Sequence, residues 1–109
     1  MIAREKQLLF ARQAEIAKAL GHPLRIAVVS FLKDGEQCVC DIAEYVGAER
    51  SNVSRHLAVM VNAGLLSYRK QGLKVIYELR CPCILEFFVC IGGVLREQVR
   101  ADRRLMRAL

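Results

Sequence analysis

The 109-residue chain contains no tryptophan, two prolines and two histidines, and aromatic residues make up only 6% of it. So little proline leaves no room for a polyproline linker or stalk. The two histidines, His22 and His56, lie 34 positions apart and form no sequence cluster of metal ligands. Long apolar runs are also missing. The longest, Ile84 to Leu95, spans twelve residues and is broken by Glu86, short of the ~18–20 that a membrane-spanning helix needs. No membrane partner is therefore expected. Met1-Ile2-Ala3-Arg4-Glu5-Lys6 leads into a charged amphipathic pattern rather than a secretory leader, so a cytoplasmic location is expected. Neither a phosphate-cradling glycine loop nor a paired base and nucleophile occurs. The chain reads as a protein that is not an enzyme and needs no organic cofactor.

Lysine and arginine are absent from residues 34–49, which hold five acidic residues, Asp34, Glu36, Asp41, Glu44 and Glu49. The rest of the chain is basic. Residues 1–33 sum to +4, 50–80 to +5 and 81–109 to +2, for a net charge of +6. A basic block directly after an acidic one describes a dipolar molecule with one face suited to an anion, nucleic acid first among them. The hydrophobic fraction of 54% excludes disorder. In so small a chain it also exceeds what one core hides, which points to an oligomer. Residues 1–109 read as a single domain, without repeats or a linker. The five cysteines, Cys38, Cys40, Cys81, Cys83 and Cys90, are odd in number and follow no leader, which favours free thiols for metal or redox chemistry over a disulfide framework.

Leu9, Ile16 and Leu20 recur at helical spacing until Gly21, and Pro23 opens a second helix carrying Leu24, Ala27, Val28, Phe31 and Leu32. Asp41-Ile42-Ala43-Glu44 has the form of a capping box at the head of a short third helix. A fourth follows from Ser51 to Asn62-Ala63-Gly64, with Val53, Leu57, Met60 and Val61 on one stripe and Asn52, Arg55, His56 and Val59 opposite. The period then changes to two. Leu66 to Lys70 and Lys74 to Glu78 form the arms of a β-hairpin around Gln71-Gly72. A last helix runs from Ile84 to Leu109, with Phe87, Phe88, Ile91, Val94 and Leu95 on one broad side. The expected fold is mainly α with a β-hairpin wing, in the order α-α-α-α-β-β-α: a winged helix-turn-helix.

The fourth helix suits DNA. Small polar groups near its start, Ser51, Asn52 and Ser54, sit where free backbone N–H groups already favour phosphate. Arg55 reaches a base edge or a phosphate, and His56 contacts DNA or braces the turn. Arg69, Lys70 and Lys74 flank the hairpin tip and suit backbone or minor-groove contact.

Glu36-Gln37-Cys38-Val39-Cys40-Asp41-Ile42-Ala43, Ser51-Asn52-Val53-Ser54-Arg55-His56-Leu57-Ala58-Val59-Met60 and Asn62-Ala63-Gly64-Leu65-Leu66 resemble the ArsR/SmtB family of bacterial metal-responsive repressors, as does Gly21-His22-Pro23-Leu24-Arg25. The resemblance spans roughly residues 12–96. It implies a homodimer joined through its terminal helices, bound to double-stranded operator DNA and released by an inducer. In arsenic-responsive members the Cys-Val-Cys motif supplies two of three sulfur ligands, which implies As(III) or Sb(III) at Cys38 and Cys40. Those members often carry the third cysteine at the position of Ala43, which cannot ligate. A third sulfur here must come from Cys81, Cys83 or Cys90, within the chain or across two protomers, unless Cys83 and Cys90 are packing residues. Members that bind zinc between terminal helices use aspartate and histidine, and this last helix has no histidine. Two other signals stay open: a soft divalent ion such as cadmium, lead or mercury, and a thiol redox or persulfide switch pairing cysteines such as Cys83 and Cys90. A thiol oxidoreductase built on Cys81-Pro82-Cys83 finds no βαβ frame around that motif.

Overall fold

The computed structural model describes residues 1–109. Helix α1 (Arg4–Leu20) ends at Gly21, whose N–H is bonded to Lys18 O. Two residues on, α2 (Pro23–Leu32) begins with proline at its first position and His22 as its cap, the His22 Nδ1 accepting from Leu24 N–H at 3.1 Å. Proline loses nothing there, because the first N–H groups of a helix have no intrahelical partner.

The acidic segment then departs from expectation. Gln37–Cys38 forms a two-residue strand, β1, before α3 (Val39–Val46). The helix starts at Val39 with Cys38 as its cap, so the Asp41 capping box does not form. Asp41 instead sits in the first turn, where a carboxylate favours the positive end of the helix dipole. The reason is packing: Val39 is buried and pins the first turn to the core as soon as the β1 ladder ends. Gly47, at φ 68°, closes α3, its N–H bonded to Ala43 O and Glu44 O, a left-handed position that suits glycine. Helix α4 (Arg50–Asn62) follows after three residues.

Strands β2 (Leu66–Gln71) and β3 (Lys74–Leu79) pair antiparallel from Leu66↔Leu79 to Gln71↔Lys74. The turn is therefore Gly72-Leu73, one residue later than the sequence suggests. Gly72 has φ 63° and Leu73 has no positive φ, the pattern of a II′ turn with glycine first. β1 pairs with β3 through Gln37↔Tyr77 and Cys38↔Ile76, giving a three-stranded sheet in the order β1-β3-β2. The architecture is a winged helix-turn-helix with one strand more than the hairpin alone provides.

Ile42, Val53, Leu57, Met60, Leu65, Leu66, Val28 and Val29 are the most deeply buried side chains. They lock α2, α3, α4 and the base of the wing into one reading head. Helix α5 (Ile84–Arg107) has no buried residue at all. Its exposed Phe87, Ile91, Val94 and Leu95, with Leu8, Leu9, Phe10 and Ile16 of α1, leave a broad apolar surface on the terminal helices. The radius of gyration, 17.6 Å, is well above the ~13 Å of a compact chain this long. No helix is long and apolar enough to cross a membrane.

Candidate nucleic-acid interface and thiol site

Helix α4 divides as its sequence implies. Val53, Leu57 and Met60 are buried, while Ser51, Arg55, Val59 and Asn62 are exposed and Asn52 and Ser54 half-buried. The polar side is thus held outward by the burial of the other.

His56 is held from behind. Arg25 Nε of α2 donates to His56 Nδ1 at 3.1 Å, and Arg25 Nη1 donates to Ala19 O at 3.4 Å. An acceptor at Nδ1 places the His56 proton on Nε2. His22 lies beside it, ring centroids 4.4 Å apart, so the two histidines that are distant in sequence are neighbours in space. Burial, then the positive neighbours His22, Arg25 and Arg55, hold the His56 pKa below its ordinary 6.5. His56 is neutral at pH 7, and its bond to Arg25 ties α4 to α2. Arg25 escaped sequence reasoning because its partner lies 31 positions away.

The wing residues divide as well. Lys70 and Lys74 are exposed near the tip. Lys70 stands opposite Val75, and Lys74 opposite Gln71, so the two lysines point to opposite faces of the hairpin. Arg69 is already engaged. Its Nη1 and Nη2 donate to Glu36 Oε2 and Oε1 at 2.5 and 2.7 Å. That pairing holds the Glu36 carboxyl below its ordinary 4.5. Arg69 is opposite Ile76, and Ile76 is opposite Cys38; Glu36, two residues before Cys38, falls on the same face by strand alternation.

All five thiols are free. Cys38 is buried at the junction of β1 and α3, Cys40 is exposed in the first turn of α3, Cys81 is half-buried, and Cys83 and Cys90 are exposed. The packing role considered for Cys83 and Cys90 therefore finds no support within one chain. Cys38 pairs with Ile76, whereas Cys81 lies beyond the end of β3 at Leu79. No group of three or more His, Cys, Asp or Glu side chains is placed to hold a metal ion. One chain thus offers two neighbouring sulfurs, Cys38 and Cys40, and any third comes from elsewhere. Cys83 and Cys90, from the cap to the second turn of α5, are about 10 Å apart along the axis. That exceeds the ~7 Å Cα separation a disulfide tolerates, so the pairing proposed for a redox switch does not close within one chain.

The family model described as "Bacterial regulatory protein, arsR family" matches residues 22–68, which hold α2, the Cys38-Val39-Cys40 segment and α4. Beyond that segment, the chain is 34% identical over 100 residues to the HTH-type transcriptional regulator Rv0081 of Mycobacterium tuberculosis, covering 91% of this chain and 87% of that one. The chain belongs to the ArsR family. The crystal structure of Rv0081 superimposes with a TM-score of 0.72, over 87% of this chain and 95% of that chain. The arsenical resistance operon repressor of Escherichia coli is 38% identical over 71 residues, 64% of this chain and 61% of its own length. The homodimeric winged helix-turn-helix DNA-binding domain Mb0332 of Mycobacterium bovis matches in fold, with a TM-score of 0.76 at 24% identity over 92% and 93% of the two chains. This ArsR-family chain is a transcriptional regulator by family and by fold.

Proposed function

We propose that the chain is a homodimeric repressor that binds double-stranded operator DNA through α4 and the wing. It releases DNA when a thiophilic species engages Cys38 and Cys40. Arsenite or antimonite is the preferred inducer, and soft divalent ions share the same donor chemistry, since polarizable thiolates select soft acceptors. The arsenical repressor among the relatives supports this choice. Ser51, Asn52, Ser54 and Arg55 are the proposed groove contacts, with Lys70 and Lys74 on the backbone.

One observation carries the mechanism. Cys38 is at once the last residue of β1, paired to the wing strand β3, and the cap of α3, the helix that supports α4. Cys38 is buried while Cys40 is exposed. Bringing both sulfurs to one acceptor must move Cys38 relative to the core, and it pulls on wing and supporting helix together. Glu36 lies on the same short segment and grips Arg69, so that movement also resets a basic side chain of the wing. Operator half-sites are spaced by a helical repeat of about 34–36 Å, so small shifts of two linked reading heads lower affinity. Coupling between sites typically amounts to about 5–150-fold.

The reduced protein is titrated onto an operator duplex with arsenite, and in parallel with cadmium. Affinity should fall at least about fivefold on saturation. Unaltered binding at saturating arsenite and cadmium would overturn the assignment.

A further inference from the structure

A cleft of about 480 Å³ between α2 and α5 lies apart from both the cysteines and α4. Ile26 of α2 and Leu85, Phe88 and Val89 of α5 form its apolar walls, and its cations are Lys33 and Arg96; no acidic residue lines it. The volume falls within the ~300–1,000 Å³ usual for small-molecule sites.

The cleft is not the unpartnered stripe of α5. On α5 the centre of Leu85, Phe88, Val89, Gly92 and Arg96 lies roughly 130° round from the centre of Phe87, Ile91, Val94 and Leu95, the two groups meeting at Phe88 and Leu95. Ile26 and Val89 are large apolar side chains exposed within the cleft, 39% and 68% respectively. Neither cation has an ion pair, since the two pairs in the chain are Arg69–Glu36 and Arg100–Glu97. Lys33 also borders an adjoining pocket that contains Glu36 and Glu78, which makes Arg96 the principal anion partner. Gly92 lines the cleft beside open space, since a Cβ there would meet only Arg96 Nη1, at 3.9 Å.

From these features we infer that the cleft binds an amphipathic carboxylate, with its apolar tail against Ile26, Leu85, Phe88 and Val89 and its head group on Arg96 and Lys33. The guanidinium offers two parallel N–H groups to a carboxylate. Because the cleft joins a reading-head helix to a terminal helix, its occupant would be an effector independent of the thiols.

The test is a methyl-NMR titration of the full reduced chain with decanoate, with 1-decanol as the uncharged counterpart. Saturable shifts are expected at the Ile26, Leu85 and Val89 methyls, with Val53 and Leu57 unmoved. Arg96→Gln should weaken decanoate at least about tenfold, as expected for a lost charge-assisted bond. Gly92→Leu should fill the cleft and abolish binding while helix content is kept. Three results would overturn the inference: no saturable shift, decanol binding as tightly as decanoate, or shifts centred on Ile91, Val94 and Leu95. Intermolecular contacts from a second copy to Ile26 and Val89 would also overturn it, since the cleft would then be an interface.

Discussion

Val94→Asp probes the terminal helices as a dimer interface. Val94 is 58% exposed and shares its stripe with Phe87, Ile91 and Leu95, so the substitution leaves the reading head untouched. Fully burying an apolar side chain of this kind contributes about 1.5–3 kcal/mol; with over half of Val94 still open, a partner would gain about 1 kcal/mol from it. A two-fold interface contains the position twice, which doubles the loss, and each stranded carboxylate adds a desolvation cost of up to several kcal/mol. The sum is on the order of 4 kcal/mol, or about a thousandfold in the dimer dissociation constant. Sedimentation velocity at matched concentrations reads this directly. Val89→Asp is the control, five residues away and about 140° round the helix; it should remain a dimer. A Val94→Asp chain that sediments like its parent, or a Val89→Asp chain that dissociates equally, would refute the reasoning.

Other consequences follow from the same geometry. The folded His56 pKa lies below 6.5, so the unfolded chain takes up its proton first. Stability should therefore be level above pH 6.5 and decline as the pH falls below it; thermal melts from pH 8 to 5 should show a decline that His56→Gln lessens, and equal slopes would count against it. Glu36→Gln releases Arg69, so inducer-free operator affinity should rise. Its dependence on log salt should steepen by about 0.9, one added phosphate contact; an unchanged slope would remove Arg69 from the account. Leu57, fully buried on the inner side of α4, should cost about 2–5 kcal/mol as Leu57→Ala, read as a lower urea midpoint at constant slope. A loss below about 1 kcal/mol would mean that α4 is not anchored there.

Features encoded locally were legible in the sequence. Gly21 and Pro23 mark a helix boundary by their own backbone limits, and Val53, Leu57 and Met60 declare the inner face of α4 by spacing alone. Features made by distant partners were not. β1 is two residues long and exists because β3 offers an unpaired edge; no local propensity announces so short a strand. Asp41 carried a capping signal, yet burial of Val39 set the helix start two residues ahead of it. Arg25–His56 and Arg69–Glu36 join residues 31 and 33 positions apart. They place a brace behind His56 and a carboxylate partner on Arg69, two residues proposed to contact DNA. The cysteine motif was visible from its residues, but its tie to the wing sheet was not, because register emerges only on folding.

The most direct test of the central claim is the operator affinity of Cys38→Ser, measured with and without saturating arsenite beside the unaltered chain. The account predicts that inducer-free affinity matches the parent within about threefold, because serine preserves an N-cap, while arsenite no longer releases the DNA. Release that persists undiminished in Cys38→Ser would contradict it and move the sensor away from the junction of β1 and α3.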